Sequence, residues 1–525
     1  MTKQIILSSL SLILWISTTL SAQITFQKCY GSQTELNEAK SVCQTFDHGY
    51  IMAGQILNST QNNWDAYLIK TDSAGSILWT KTFNALFTEY LFDVTQTTDS
   101  GYVAVGSTQA DEPTSRKIFI VKTSSDGTLL WSKTIGWIDA AEAHTVKETS
   151  DGGLIICGEA YFGICLIKTD ANGEVIWGKK YDDSTAQNFG ELGYSAEETA
   201  DGGYIITGRA ENSFSSGGSD IYLAKTDAGG TIQWNKAYGG ADHEFANCVK
   251  QTTDGGYIIA GYTLSFGAGG EDAYLIKTDA DGDTLWSKTY GGSLRDFGYS
   301  VSQTSDGGYI LGGYTETFGS GSNDYFLVKV TATGNHQWSR TFGANTDERA
   351  FDVQQTDDRG YVIAGYTNGF DLGFEHFYLV KTDSSGNSGC NQGSAGTSVG
   401  NFPAVILNES SASTSDYSVS SQVPVTGSVG ADTTLCTSIL STDVSDFLFD
   451  SSVYTFPNPF NAQLNIAGLN SKTLVTIFDL SGRKVLQMTT MDEQVKIDTN
   501  YLLQGLYVLK ISSKTTETNM KILKF

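Results

Sequence analysis

Short runs of alternating apolar and polar residues, separated by Asp-Gly and Asn-Gly pairs, fill most of the chain. This is the pattern of antiparallel strands joined by tight turns. One run recurs seven times. Its opening glycines are Gly49 (HGYIMAGQ), Gly101 (SGYVAVGS), Gly153 (GGLIICGE), Gly203 (GGYIITGR), Gly256 (GGYIIAGY), Gly308 (GGYILGGY) and Gly360 (RGYVIAGY). They are spaced 52, 52, 50, 53, 52 and 52 residues apart. A Thr stands four residues before each, at Thr45, Thr97, Thr149, Thr199, Thr252, Thr304 and Thr356. A second run carries a Lys in every copy: Lys70, Lys122, Lys168, Lys225, Lys277, Lys329 and Lys381. A Trp follows the next turn at Trp79, Trp131, Trp177, Trp234, Trp286 and Trp338. In the sixth copy the alternation predicts four strands, near residues 299–304, 309–315, 324–330 and 336–342.

A four-stranded unit with this period is one blade of a β-propeller, since ankyrin and tetratricopeptide units are shorter and helical. Linear β-solenoid coils are shorter and lack the four-strand hairpin pattern. Seven copies predict seven blades. The seventh copy stops short of its fourth strand, with Cys390 standing where a Trp is due. Residues 26–31 (FQKCYG) match residues 286–291 (WSKTYG), so the N-terminal strand is expected to complete the last blade. Closure over residues 23–390 would remove the edges that otherwise pair with other chains. The fold class that follows is all-β: a seven-bladed propeller with four-stranded blades, then a linker and a small C-terminal β-sandwich.

The recurring Trp is expected to wedge between neighbouring blades, its N–H meeting a carbonyl. Acidic residues recur eight positions before the Thr register: Glu89, Glu191, Glu244, Asp296 and Glu348. Two readings stand open. They form an acidic ring at a channel mouth that collects cations or sugars, or each pairs with a repeat Lys between blades.

Composition narrows the function. Lys+Arg number 33 against 58 Asp+Glu, a net charge of −25, and this excludes a binder of nucleic-acid phosphates. Residues 1–22 have a Lys near the start, an apolar centre and Ser-Ala at the end, the layout of a cleaved signal peptide. No other run is long and apolar enough to predict a transmembrane span. Exported and soluble, the chain is expected to be a monomer.

Residues 391–450 are rich in Ser, Thr, Val and Gly without periodicity, which reads as a linker or a loose β extension. From residue 451 the texture changes. The pieces are Phe456-Pro457-Asn458-Pro459, IFDLSGR with Gly482 and Arg483, Gly505-Leu506-Tyr507-Val508, and a basic-apolar end. Residues 454–525 resemble the type A C-terminal sorting domain of type IX secretion. The resemblance implies a small sandwich recognised by the type IX machinery at the outer membrane. Such a domain is commonly cut off, leaving cargo released or attached to surface lipopolysaccharide. The repeats resemble secreted propellers with DGGYIIAGYT and YLIKTD motifs, and more distantly the turns of quinoprotein dehydrogenases. The register of Asp279, Gly282 and Trp286 departs from the quinoprotein turn, so these turns are read as topology rather than activity.

Candidate chemistry is sparse. Of seven cysteines, Cys157 and Cys165 fall on successive strands and Cys390 and Cys436 bracket the linker, so these are the disulfide candidates. The five histidines are scattered, without paired metal-ligand spacing. No catalytic set, cofactor or metal is therefore expected. The reading is an exported, non-catalytic binding or adhesion scaffold for a glycan, polymer or protein. The alternative is a glycan-active hydrolase with carboxylates converging over the channel.

Overall fold

The computed structural model describes residues 23–31, 36–59, 61–84, 88–109, 116–137, 141–160, 163–181, 192–210, 218–370 and 372–401. Beyond these it describes 405–407, 417–422, 425–427, 432–439, 454–456, 463–467, 473–479, 484–492, 494–499, 505–512 and 517–524. The signal segment 1–22 lies outside them. Every regular element among the described residues is a β-strand. The chain divides into two compact units after Leu440.

The first unit holds seven antiparallel sheets, none of which closes into a barrel. Their inner strands are Asn37–Gln44, Glu89–Gln96, Ala141–Glu148, Leu192–Glu198, Glu244–Gln251, Asp296–Gln303 and Glu348–Gln355. Each sheet packs on the next in sequence order, and the seventh packs on the first. Between the fourth and fifth sheets the shared core is Ile205, Leu223, Tyr238, Val249, Ile259 and Ile276. Between the seventh and first it is Phe26, Tyr30, Val42, Met52, Val362 and Phe377. Alternation along each strand supplies one apolar row to each neighbour, so both faces of every sheet are buried.

The seventh sheet is sewn from distant parts of the chain. Ile24–Tyr30 pairs antiparallel with His376–Thr382, setting Phe26 against Lys381 and Tyr30 against Phe377. Phe26 takes the place of the repeat Trp: its ring lies 6.0 Å from Tyr50, as Trp286 lies 6.0 Å from Tyr309. Tyr30 donates to the Gly75 carbonyl at 2.8 Å, as Tyr290 does to Gly334 at 2.7 Å.

The described strands between residues 392 and 439 pair with six of the seven sheets. Gln392–Gly393, Ser398–Asn401 and Val405–Leu407 pair with the outer strands of the sixth, fifth and fourth sheets. Tyr417–Gln422 and Val425–Gly427 then pair with those of the second and first, and Asp432–Ile439 pairs with Ile24–Tyr30. These strands give the open N–H and C=O groups on the outer edges of six of the seven sheets partners. Of the two readings open for this stretch, the β extension matches these strands.

The second unit has a three-stranded and a four-stranded sheet. Leu464, Ile466, Val475, Ile477, Val495, Ile497, Leu509 and Ile511 form its core, with Tyr507 beside them. Alternate residues of both sheets meet there, the arrangement of a sandwich. Gly505 starts the strand Gly505–Ser512. Pro457, Asn458, Pro459, Gly482 and Arg483 lie outside the described residues.

Candidate functional site

The Thr, Gly and Lys registers found in the sequence meet in one hydrogen-bonded turn. In the fifth sheet, Asp254 Oδ1 accepts from Thr252 Oγ1 at 2.5 Å, Gly256 N at 3.1 Å and Lys277 Nζ at 3.0 Å. Lys277 also donates to the Thr278 carbonyl at 2.7 Å. All seven third-strand lysines pair with the turn Asp of their own sheet: Asp47, Asp99, Asp151, Asp201, Asp254, Asp306 and Asp358. Hydrogen bonds from Thr149, Gly153 N and Lys168 hold Asp151 down to about 2, and Thr199 leads the same effect on Asp201. The opening glycine is required because a Cβ at Gly256 would run into the Thr278 carbonyl and lie 2.6 Å from Lys277 Nζ.

The tryptophans Trp79, Trp131, Trp177, Trp234, Trp286 and Trp338 sit on outer strands, each under a turn glycine of the following sheet. Gly282, at φ +78°, covers Trp234. Trp79 and Trp286 donate to the Ser125 and Ala332 carbonyls, each at 3.2 Å. These contacts join each outer strand to the sheet that follows it.

The acidic register departs from both readings. Glu89, Glu244, Asp296 and Glu348 are fully buried, and the repeat lysines pair with the turn Asp residues instead. Each carboxylate caps the end of its own hairpin. Thr108, Thr263 and Thr367 donate to Glu89, Glu244 and Glu348 at 2.9, 2.6 and 2.7 Å, and Thr315 donates to Asp296. Loop amides complete the cap, such as Gly292 N on Asp296 at 2.7 Å. Glu191 lies outside the described residues.

The cysteine expectation also changes. Cys157 and Cys165 are free thiols. Their strands are adjacent, but Cys165 faces Gly158 and Cys157 faces Leu166, a one-residue offset. Side chains alternate across a strand, so the two thiols enter different cores. Cys390 is disulfide-bonded.

What the sheets bring together is a cavity of about 770 Å³ among the seven inner strands. A bulge in every sheet shapes it. The register between the first two strands slips at Ala39/Ser41, Leu91/Asp93, Ala143/Thr145, Gly193/Ser195, Ala246/Cys248, Gly298/Ser300 and Ala350/Asp352. The skipped residues Lys40, Phe92, His144, Tyr194, Asn247, Tyr299 and Phe351 all line the cavity. A bulge re-aims the side chain it leaves unpaired. It also brings two backbones close: a Cβ on Gly261 would collide with the Phe245 carbonyl. Aromatic faces dominate this tier. His144 lies 5.2 Å from Phe92 and 5.4 Å from Tyr194, Tyr299 lies 5.1 Å from Phe351, and the Lys40 ammonium stands 4.3 Å over Phe351.

The next tier is polar. Ser41 Oγ lies 2.8 Å from Asp93 Oδ1 and 3.1 Å from Asp352 Oδ2, so its single proton serves one carboxylate at a time. Val94 N and Val146 N donate to Asp93 at 2.9 and 3.0 Å, and Lys147 Nζ at 2.8 Å. Asp352 accepts from Val42 N at 3.1 Å and Ser300 at 2.8 Å, while burial and then Asp93 push its carboxyl up. Lys250 pairs with Glu197 at 3.3 Å. These groups tie neighbouring sheets together and leave no carboxylate oxygen of Asp93 without a donor. The sequence missed this tier because its residues vary from copy to copy; the signal was their constant offset from the repeat Thr.

A pH effect follows from two strand-start carboxylates. Burial, and to a smaller degree Asp296 and Glu348, push Asp272 and Asp324 up to about 6. Unfolded, each titrates near 3.9. The folded state therefore binds these protons more tightly, and their stabilising contribution is lost as pH rises through about 6. The melting temperature of an Asp272→Asn/Asp324→Asn variant is expected to change less between pH 5.0 and 7.5 than that of the unsubstituted chain. An equal change in both, by thermal circular dichroism, would contradict this assignment.

Residues 454–524 match the Secretion system C-terminal sorting domain family. That domain marks cargo of type IX secretion, which places this chain at the cell surface or in the medium and gives it the secretion machinery as a partner. Among solved structures, the chain is similar to PorZ, an essential bacterial surface component of the type-IX secretion system of Porphyromonas gingivalis. Identity is 9%, over 94% of this chain and 100% of that chain, with a TM-score of 0.22. It is also similar to the V. cholerae biofilm matrix protein Bap1, at 11% identity over 94% of this chain and 86% of that chain, TM-score 0.16. No curated protein matches. No helix among the described residues is long and apolar enough to cross a membrane.

Proposed function

We propose that the seven sheets are the blades of a closed β-propeller spanning residues 23–390. In this reading it is exported after loss of residues 1–22, held by the strands at 392–439 and delivered by the sorting domain. It is a non-catalytic binding module, and its cavity takes a glycan. One observation carries the reading: equivalent positions of all seven sheets line the cavity, with aromatic faces on one tier and Asp, Lys, Ser and Asn beside them. Aromatic walls with a few placed polar groups make a ligand site. An acid–base pair for hydrolysis needs carboxyls free to exchange protons with substrate. Asp93 and Asp352 instead hold backbone amides of neighbouring sheets. We further assign Cys436 as the partner of Cys390, because it faces Gln27 across the sheet and Gln27 bonds the Cys390 carbonyl.

The test is a polysaccharide array probed with the exported chain and with a Phe92→Ala/Tyr299→Ala variant. Binding to one glycan class that falls at least tenfold in the variant is expected. Equal binding by both would move the ligand site elsewhere.

A further inference from the structure

The seven bulges are equivalent in position, and one of them carries a different chemistry. In the third sheet Glu142 stands directly across from Glu159 on the neighbouring strand, with His144 at the bulge between them and the cavity. One ligand atom from each of the three lies within 4.8 Å of the others. Like charges facing each other on a sheet are destabilising without a counter-charge. His144 Nε2 is buried and has no hydrogen-bond partner, while the Phe92 and Tyr194 rings flank the imidazole.

The first sheet shows what a filled version of this site looks like. Its equivalent residues are Glu38, Lys40 and Gln55. Lys40 Nζ sits 2.8 Å from Glu38 Oε2 and Gln55 Nε2 donates to the same oxygen at 3.0 Å. There one carboxylate has a built-in cation and an amide. In the third sheet the lysine has become an imidazole and the amide a second carboxylate. The lysine at the bulge is gone, leaving Arg116 and Arg209 as the nearby protein cations, and two more ligand groups have been gained.

We propose that Glu142, His144 and Glu159 bind one divalent transition-metal cation of the zinc class at the cavity wall. One imidazole nitrogen and two carboxylate oxygens are donors that such ions accept, whereas calcium and magnesium demand oxygen alone. Burial lowers the pKa of His144, which keeps its lone pair available. Ligands bound at about 2.0–2.2 Å in a tetrahedral shell stand roughly 3.3–3.5 Å apart, within reach of small side-chain rotations. Arg116 now pairs with Glu142, but its side chain is 46% exposed, so water is at hand to solvate it once the pair opens. It is a counter-charge of the metal-free state, beside Arg209, and competes with the ion for Glu142. The inference stands apart from the glycan reading, since it concerns the wall and not the cavity's ligand.

The test uses the full exported chain stripped with chelator and titrated calorimetrically with zinc chloride, then with calcium or magnesium chloride. One zinc per chain with micromolar or tighter affinity is expected, with no heat from calcium or magnesium. His144→Asn and Glu159→Gln should each weaken zinc at least tenfold. The Asn variant is expected to fold, because Asn247 occupies that position in the fifth sheet. Arg116→Ala should tighten zinc severalfold, and this variant decides the matter if the others melt early. No zinc bound, wild-type affinity in both ligand variants, or unchanged affinity in Arg116→Ala would each overturn the site.

Discussion

Removal of residues 23–31 should lower the melting temperature by on the order of 10 °C or more and make the protein self-associate. Ile24–Tyr30 is an interior strand of the seventh sheet, paired on one side with His376–Thr382 and on the other with Asp432–Ile439. Its loss removes two ladders, each hydrogen bond contributing a net ~0.5–1.5 kcal/mol. It also exposes the pocket filled by Phe26 and Tyr30, both fully buried, at ~1.5–3 kcal/mol per large apolar side chain. The sum is comparable with the ~5–15 kcal/mol that stabilises a typical domain. Two newly opened edges would then recruit strands from other copies. Thermal circular dichroism and size-exclusion chromatography read both effects. A monomer that melts with the intact chain would mean that the strand is not part of the sheet.

Deleting residues 454–525 should do the opposite: abolish delivery to the surface and leave the ring intact. The sorting unit owns a core around Leu464, Val475, Val495 and Leu509, and among the described residues its strands pair only with one another. The truncated chain is expected to accumulate in the periplasm with a ring transition changed by less than about 1 kcal/mol. Mature protein from the native host should also lack residues 1–22 and most of 454–525 by mass spectrometry. Secretion of the truncated chain, or Phe525 intact on secreted protein, would contradict the sorting assignment.

Much of the fold was legible because its cause is local and repeated. Three strands expected in the sixth copy at 309–315, 324–330 and 336–342 match Tyr309–Thr315, Asp324–Val330 and His336–Phe342. The first begins earlier, at Asp296, because the bulge at Gly298/Ser300 breaks the two-residue alternation that marked its start. The match of Phe26 to Trp286 revealed the sewn sheet because one packing role, covering the next turn glycine, needs an aromatic. Roles were harder to read than positions. The Lys recurs in all seven copies and the acid eight before the Thr in five, but only the fold separates a Lys277–Asp254 turn from a Glu244–Thr263 cap. The 392–439 strands were invisible as such, since backbone pairing on an outer edge imposes no apolar period. The cavity was hidden for a related reason: a bulged residue belongs to neither face of the alternation.

Closure by the N-terminal strand is the claim on which the ring depends, and hydrogen–deuterium exchange of the unmodified chain tests it without perturbation. Amides of residues 24–30 should be protected as strongly as those of residues 376–382, because each is paired on both sides within one cooperative sheet. Exchange of residues 24–30 at the rate of a free tail, with residues 376–382 still protected, would contradict closure.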